Sequence, residues 1–382
     1  MVAGAETTSF HPSFSSQAHY GAFDRSPFGD HLMHDPFVGN WHDNWSGGLL
    51  PLGSEYLLNV SDQLGPALFA QAPATAHPTT AVSSAATSVS PTSTLVGSSS
   101  GLQINLIWDA SVKSSANWSA FESAFAVAAK IYTDNFTNHA VINIDVGLGE
   151  VGGSKLGAGA LGESESNGYL VGEATAQNAL ASHDAGLVSS GLMAADAVAA
   201  LQSLRGESFF ITSGEAKALN LVSPTGTGVD GFIGLANTSA LYFPAAGGAI
   251  KSSQYDAVGV AAHELSEVMG RIGMEGASLG THKDIYTPLD IFRYSAPHSP
   301  DVTPTAGYFS TNDGVTNLVA YNSPANGGDA ADWASSTANR LNAYDAFDTP
   351  GVISQVTASD LLEVAALGFQ VASGHILTTT NA

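Results

Sequence analysis

The residues of this chain whose types and spacing could do chemistry are His263, Glu264 and Glu267. They lie within Ser252–Gly273, SSQYDAVGVAAHELSEVMGRIG. On a helix, His263 and Glu267 are four apart and share one face, where two side chains can grip one ion. Glu264 lies one step round, where a carboxylate reaches a water held on that ion. Val258, Ala261, Ala262, Leu265, Val268 and Met269 give the segment a broad apolar surface, which predicts a deeply buried helix. A histidine and two glutamates in such a place need compensation, because unpaired buried charge is costly. A metal supplies it.

A hydrolytic zinc site needs three protein ligands and an open position for water. It also needs a carboxylate that takes the water's proton and later gives it to the leaving amine. The H-E-x-x-H pattern places two ligands and that base on one helix. Here Glu267 stands where the second histidine would be, and a carboxylate is an acceptable zinc ligand. Asp290, in the compact segment PLDIFRYS, is the expected third ligand; His282 is the runner-up and Asp284 comes after it. Arg271 and Arg293 are two of only 11 basic residues, placed to orient these acids or to pair with them. Tyr294 and Tyr308 are oxyanion candidates by residue type. The structural alternative is a core histidine with Glu267 paired to Arg271 at i,i+4.

The elements that must position these groups are legible in part. Leu102–Val112 alternates and is β-rich, Ser115–Phe136 has helical spacing, and Val141–Val151 reads as a strand, giving a βαβ start. The loop Gly152–Gly162 lacks the Gly-Lys-Ser/Thr of a phosphate loop. Helices are expected over Tyr169–Ala181 and Gly191–Leu204, a strand over Ser208–Thr212 and a short helix over Ser213–Leu219. Asp230–Ala236 and Ala240–Phe243 read as a hairpin just before the central helix. Its strands could wall a cleft and pair with an extended peptide. Gly270 and Gly273 are positioned to stop the helix. Strands are expected within Gly307–Ser310 and Val315–Tyr321. The loop Asn322–Trp333, NSPANGGDAADW, offers Asp329 and Asp332 to calcium, or is a solvated turn. Thr357-Ala-Ser-Asp360 caps a last helix.

Before all this, residues 1–71 are rich in aromatics and histidine (His11, His19, His31, His34, His42, Trp41, Trp45). The histidines admit metal binding or a masking pro-segment. Without a repeated ligand spacing, the reading taken is a poorly ordered arm, with a short helix over Ser54–Leu64. Residues 72–100, rich in Ala, Thr, Ser and Pro, read as a flexible linker, 101–372 as the folded domain and 373–382 as a tail.

With 34 acids against 11 bases, the net charge is −23, which argues against nucleic acid and anionic membrane and fits calcium. There is no cysteine, which excludes disulfides and thiolate metal sites. No apolar run approaches a membrane span, and the N-terminus lacks the pattern of a Sec-type signal peptide.

HELSEVMGR, preceded by DGFIGLA and followed by PLDIFRYSAP, YFS, GGDAADW and SDLLEVAALGF, resembles a bacterial family of zincin-type metalloproteases over about Gly101–Val371. The resemblance implies an α+β, zincin-like fold: a twisted mixed sheet, a central active-site helix beneath it and an irregular C-terminal half. It implies a zinc-dependent endopeptidase acting on a peptide or protein substrate, with Glu264 as general base and acid. It also implies a secreted protein, exported without a Sec signal. A monomer is expected. The helix is more distantly similar to the metzincins: His263, Glu264 and Gly270 match, while Glu267 and Gly273 replace the second and third histidines. No methionine follows Met274 to make a methionine turn. The other expectation is a catalytically inactive, secreted binding or surface protein of the same fold.

Overall fold

The computed structural model describes residues 56–58, 62–63, 92–194, 208–279, 282–303, 307–336 and 340–371. The five arm histidines, most of the 72–100 stretch, much of the expected Gly191–Leu204 helix and the 373–382 tail lie outside them.

In chain order, Tyr56–Leu58 (β1) and Asp62–Gln63 (β2) come first, then Ser93–Gly97 (β3) and Gln103–Trp108 (β4). A short helix Ala110–Lys113 (α1) and a long one, Trp118–Asn135 (α2), lead to Val141–Leu148 (β5). The hairpin Glu150–Val151 (β6) and Ser154–Lys155 (β7) precedes Gly162–Val171 (β8) and the helix Glu173–Ser189 (α3). Ser208–Thr212 (β9), Ser213–Ala218 (α4), Gly231–Leu235 (β10), Leu241–Tyr242 (β11) and Tyr255–Asp256 (β12) bring the chain to the central helix, Ala257–Val268 (α5). Then come Ala277–Leu279 (β13), His282–Tyr286 (β14), Arg293–Ala296 (β15), Ser299–Pro300 (β16), Tyr308–Phe309 (β17), Val319–Ala320 (β18), Ala331–Asp332 (β19) and the final helix Ala358–Ala366 (α6).

Among the described residues the protein is α+β, with six α-helices and a large mixed sheet in the order β13-β14-β9-β8-β10-β5-β4-β3. β4 buries alternate residues, Ile104, Leu106 and Trp108, and pairs in parallel with β5 across α2, so the expected βαβ unit is present. α2 turns Phe121, Phe125, Ala128 and Tyr132 inward, against α5 and the sheet. Each large apolar side chain so buried contributes about 1.5–3 kcal/mol. No helix among the described residues is long and apolar enough to cross a membrane.

α5 is buried along its whole length, between α2 on one side and β8 and β10 on the other. Asp256 caps its start, its Oδ1 accepting the Val258 N–H at 3.2 Å. At its end Gly270 takes φ +117°, the Gly270 N–H bonds to Glu267 O and the Arg271 N–H to Ser266 O. That is a Schellman closure, and it folds Arg271 back over the last turn. Gly162 lets β8 lie directly on the helix: a Cβ there would sit 2.5 Å from Glu264 Oε1.

Several expectations are corrected. β10 and β11 do not form a hairpin. β10 is interior to the large sheet, parallel to β5 and antiparallel to β8, and β11 pairs in parallel with β12. β10 therefore has no free edge for a peptide. Tyr169–Val171 ends a strand, and the helix begins only at Glu173. The 72–100 stretch contains an ordered edge strand, β3, antiparallel to β4. Of the expected Ser54–Leu64 helix, the described residues Tyr56–Leu58 and Asp62–Gln63 are strand. The expected cap of α6 is present as a full capping box between Thr357 and Asp360.

Candidate metal centre

His263 leaves the middle of α5 and is 3 % exposed; Glu264 and Glu267 are 0 % exposed. The His263 Nδ1–H donates to the Ala343 carbonyl at 2.9 Å, since a carbonyl can only accept. That bond fixes the ring and turns Nε2 toward two carboxylates. Glu267 Oε1 lies 3.2 Å from Nε2, and Asp332 Oδ1 lies 2.7 Å from it. One ligand atom from each of the three residues falls within 4.8 Å of the others, all buried.

The surrounding groups hold these acids in place. The Ser164 hydroxyl on β8 donates to Glu267 Oε2 at 2.6 Å. Arg271 reaches Glu267 Oε1 at 3.3 Å and Asp332 Oδ1 at 3.1 Å, while its Nε–H donates to Ser266 Oγ at 2.7 Å. The guanidinium lies 4.4 Å over the Tyr344 ring. Tyr132 donates its hydroxyl proton to Ala262 O at 2.6 Å, which leaves Tyr344 to donate to Tyr132 at 2.9 Å. Glu264 is different: no donor reaches either of its buried oxygens.

The titration directions follow from this packing. Burial, then the Glu267 charge beside it, pushes Glu264 well above the usual carboxylate range. Burial alone would lower His263, but Asp332 outweighs it and the imidazole is raised. Burial works to raise Glu267 too, yet the His263 hydrogen bond and charge hold it below its ordinary value. Asp332 is raised, chiefly by burial.

The donor set fits a divalent cation. One imidazole nitrogen and two carboxylate oxygens could together hold a metal ion. With Glu264, Glu267 and Asp332 ionised and His263 neutral, Arg271 is the only fixed positive charge among them. Two further positive charges then balance the cluster. Protons on His263 and Glu264 are the other way to balance it.

The third member is therefore Asp332, not Asp290. Asp290 Oδ2 accepts the backbone N–H groups of Thr287, Met274 and Glu275 at 2.7, 3.1 and 3.1 Å, so it organises the loop after α5. His282, half-buried at the start of β14, and Asp284, exposed with φ +53°, are also outside the three-residue group. Asp332 faces His263 and Arg271, and Asp329, half-buried, lies outside the three-residue group. Arg293 pairs with Glu275 at 3.1 Å, donates to Ala330 O at 2.7 Å and stacks 3.9 Å over Tyr321. Tyr294 and Tyr308 are partners across β15 and β17, and the Tyr308 hydroxyl is committed to Gly314 O at 2.6 Å. Ser164, Tyr344 and the Ala343 carbonyl had no signal in the sequence. Asp332 had one: Trp333, fully buried, follows it at the end of a polar loop and turns the chain into the core.

No family model, curated protein or solved structure matches this chain.

Proposed function

We propose that the protein is a zinc-dependent endopeptidase of zincin type, with His263, Glu267 and Asp332 as the metal ligands. The observation that carries this reading is the convergence of two carboxylates on His263 Nε2 while Nδ1 is tied to a backbone carbonyl. Ligating histidines are oriented by such a bond. A bound zinc ion would supply Lewis acidity, lowering the pKa of water and polarising a peptide carbonyl. Glu264 serves as general base and acid: it sits one residue from the first ligand, beside Gly162, with no competing donor. Ser164 and Arg271 fix the ligand carboxylates. Export to the exterior without a Sec signal belongs to the same proposal.

The test is metal analysis of the native protein beside His263→Ala, with hydrolysis of a denatured protein substrate measured with and without chelator. The expected outcome is stoichiometric zinc, absent from His263→Ala, and chelator-sensitive cleavage. A metal-free native protein with no cleavage would sink the reading.

One observation favours a second reading. Arg271 contacts both carboxylates, as a purely structural ion-pair network would. On that reading a protonated His263 takes the cation's place, and the protein is a binding or surface protein without catalysis. Retention of full stability after exhaustive chelation would support it.

A further inference from the structure

Between β10 and α5 the chain passes through β11, a 3-10 turn at Pro244–Ala246 and β12. Together with the start of α2, this stretch encloses a cavity of about 530 Å³. That is the size of a site for one small molecule. None of His263, Glu264, Glu267 and Asp332 lines it.

The floor is apolar. Phe121 and Leu241 are buried there, Leu148 and Phe243 are half-buried, and the Phe121 and Phe243 rings lie 6.1 Å apart at 44°. The rim is polar and held in shape by its own hydrogen bonds. The Tyr242 hydroxyl donates to Gly248 O at 3.0 Å and closes the loop between them. Gln254 Oε1 accepts the Lys251 N–H at 3.2 Å, and its Nε2 donates to Ser239 O at 3.3 Å.

The charge of this lining is opposite to that of the chain. Acids outnumber bases 34 to 11 overall, yet no acid among the described residues lines the cavity, and its one charged residue is Lys251. Lys251 is exposed and forms no ion pair with a described residue. The N-terminus of the 18-residue α2 adds to the positive end: Asn117 makes no side-chain bond to the helix it caps, and the first turn holds no acid.

An apolar ring floor beside one cation complements a molecule with an apolar body and a single negative end. A lysine is a point charge without the fork by which arginine grips phosphate, so one lysine suits a monoanion. We infer that this cavity binds an aromatic carboxylate, its ring against Phe121 and Phe243 and its carboxylate at Lys251. The inference does not rest on the peptidase reading.

The test is calorimetric titration of the full-length protein with 3-phenylpropionate and with its neutral isostere, 3-phenylpropanamide. The acid is expected to bind saturably, about three- to fivefold tighter than the amide, as a partly exposed ion pair allows. In Lys251→Met that advantage disappears while amide binding holds. Ala120→Trp, which fills the cavity from α2, abolishes binding of both, with circular dichroism and Tm checking the fold of each variant. The peptide Gly-Gly-Phe carries the same ring and carboxylate on a chain end. Tighter binding of the peptide than of the free acid names a peptide end as the ligand, weaker binding names a small acid, and both support the site. No saturable binding of either overturns it. Equal affinity for acid and amide, or an acid affinity that Lys251→Met leaves unchanged, overturns the carboxylate.

Discussion

Among the described residues two arginines are fully buried, and their surroundings begin alike. Arg271 lies 4.4 Å over Tyr344, and Arg293 lies 3.9 Å over Tyr321. Each meets a glutamate near 3 Å: Glu267 for the first, Glu275 for the second. Beyond that they diverge. Around Arg293 the guanidinium meets Glu275 and the Ala330 carbonyl, with Asp290 close by, and the cluster ties the loop after α5 to the strand region before Asp332. Around Arg271 two carboxylates share the guanidinium, an imidazole joins them, and a further buried acid, Glu264, has no donor. In the first, the further acid Asp290 is held by backbone N–H groups. In the second, two carboxylates and an imidazole meet at one point beside an acid with no donor, and that separates a candidate centre from a structural salt bridge.

Substitutions can break this contrast. The largest effect is expected from Glu264→Gln: hydrolysis falls by about 10²–10⁴-fold, the usual contribution of a positioned acid–base group, while zinc content and Tm hold. Unimpaired cleavage would remove Glu264 from the chemistry. Arg293→Met should cost about 3–5 kcal/mol in urea unfolding, because it strands Glu275 in the interior, yet leave zinc content unchanged. Loss of zinc there would mean the two arginine clusters are one unit. Ser164→Ala frees one oxygen of Glu267 and should weaken zinc binding by about 10–100-fold in a competition titration.

Acids buried without any cation sharpen the comparison from the other side. Asp184 on α3 and Glu215 on α4 are buried, and no donor reaches their oxygens. Burial pushes Asp184 up to about 8. The folded state keeps its proton while the unfolded chain ionises near 4, so this group makes stability fall as pH rises from about 4 to 8. Asp184→Asn should therefore raise Tm by about 2–4 °C at pH 8 and leave it unchanged at pH 4. Equal Tm values for the two proteins at both pH values would show that the carboxyl is not held neutral in the fold.

How much was readable depended on where the information lies. The βαβ start, α5 and the capping box of α6 were legible, because apolar spacing and cap chemistry are local. β8 was missed because its sequence, GESESNGYLV, is polar at the positions that lie against α5. Its Ser164 is buried to hold Glu267, a reason that exists only after folding. β3 was read as linker because STLVG follows a long Ser/Thr/Ala run, and only its pairing with β4 makes it a strand. The Asp230–Phe243 hairpin failed because β10 finds better partners in β5 and β8 than in its neighbour β11.

The sequence by itself determined that His263 and Glu267 meet, since a helix brings residues four apart onto one face. It offered Gly270 and Gly273 as stops for the helix and Arg271 as an i,i+4 partner for Glu267, and the helix ends at Gly270. The third acid was decided by the tertiary structure alone. Asp290 and Asp332 are the same residue type, Asp290 in a 3-10 turn and Asp332 on β19, and the tryptophan after Asp332 is a cue to burial that does not name a ligand. Packing gave Asp290 three backbone donors, and it set Asp332 against the imidazole. A carboxylate's role follows from which groups surround it, and here those groups come from distant parts of the chain.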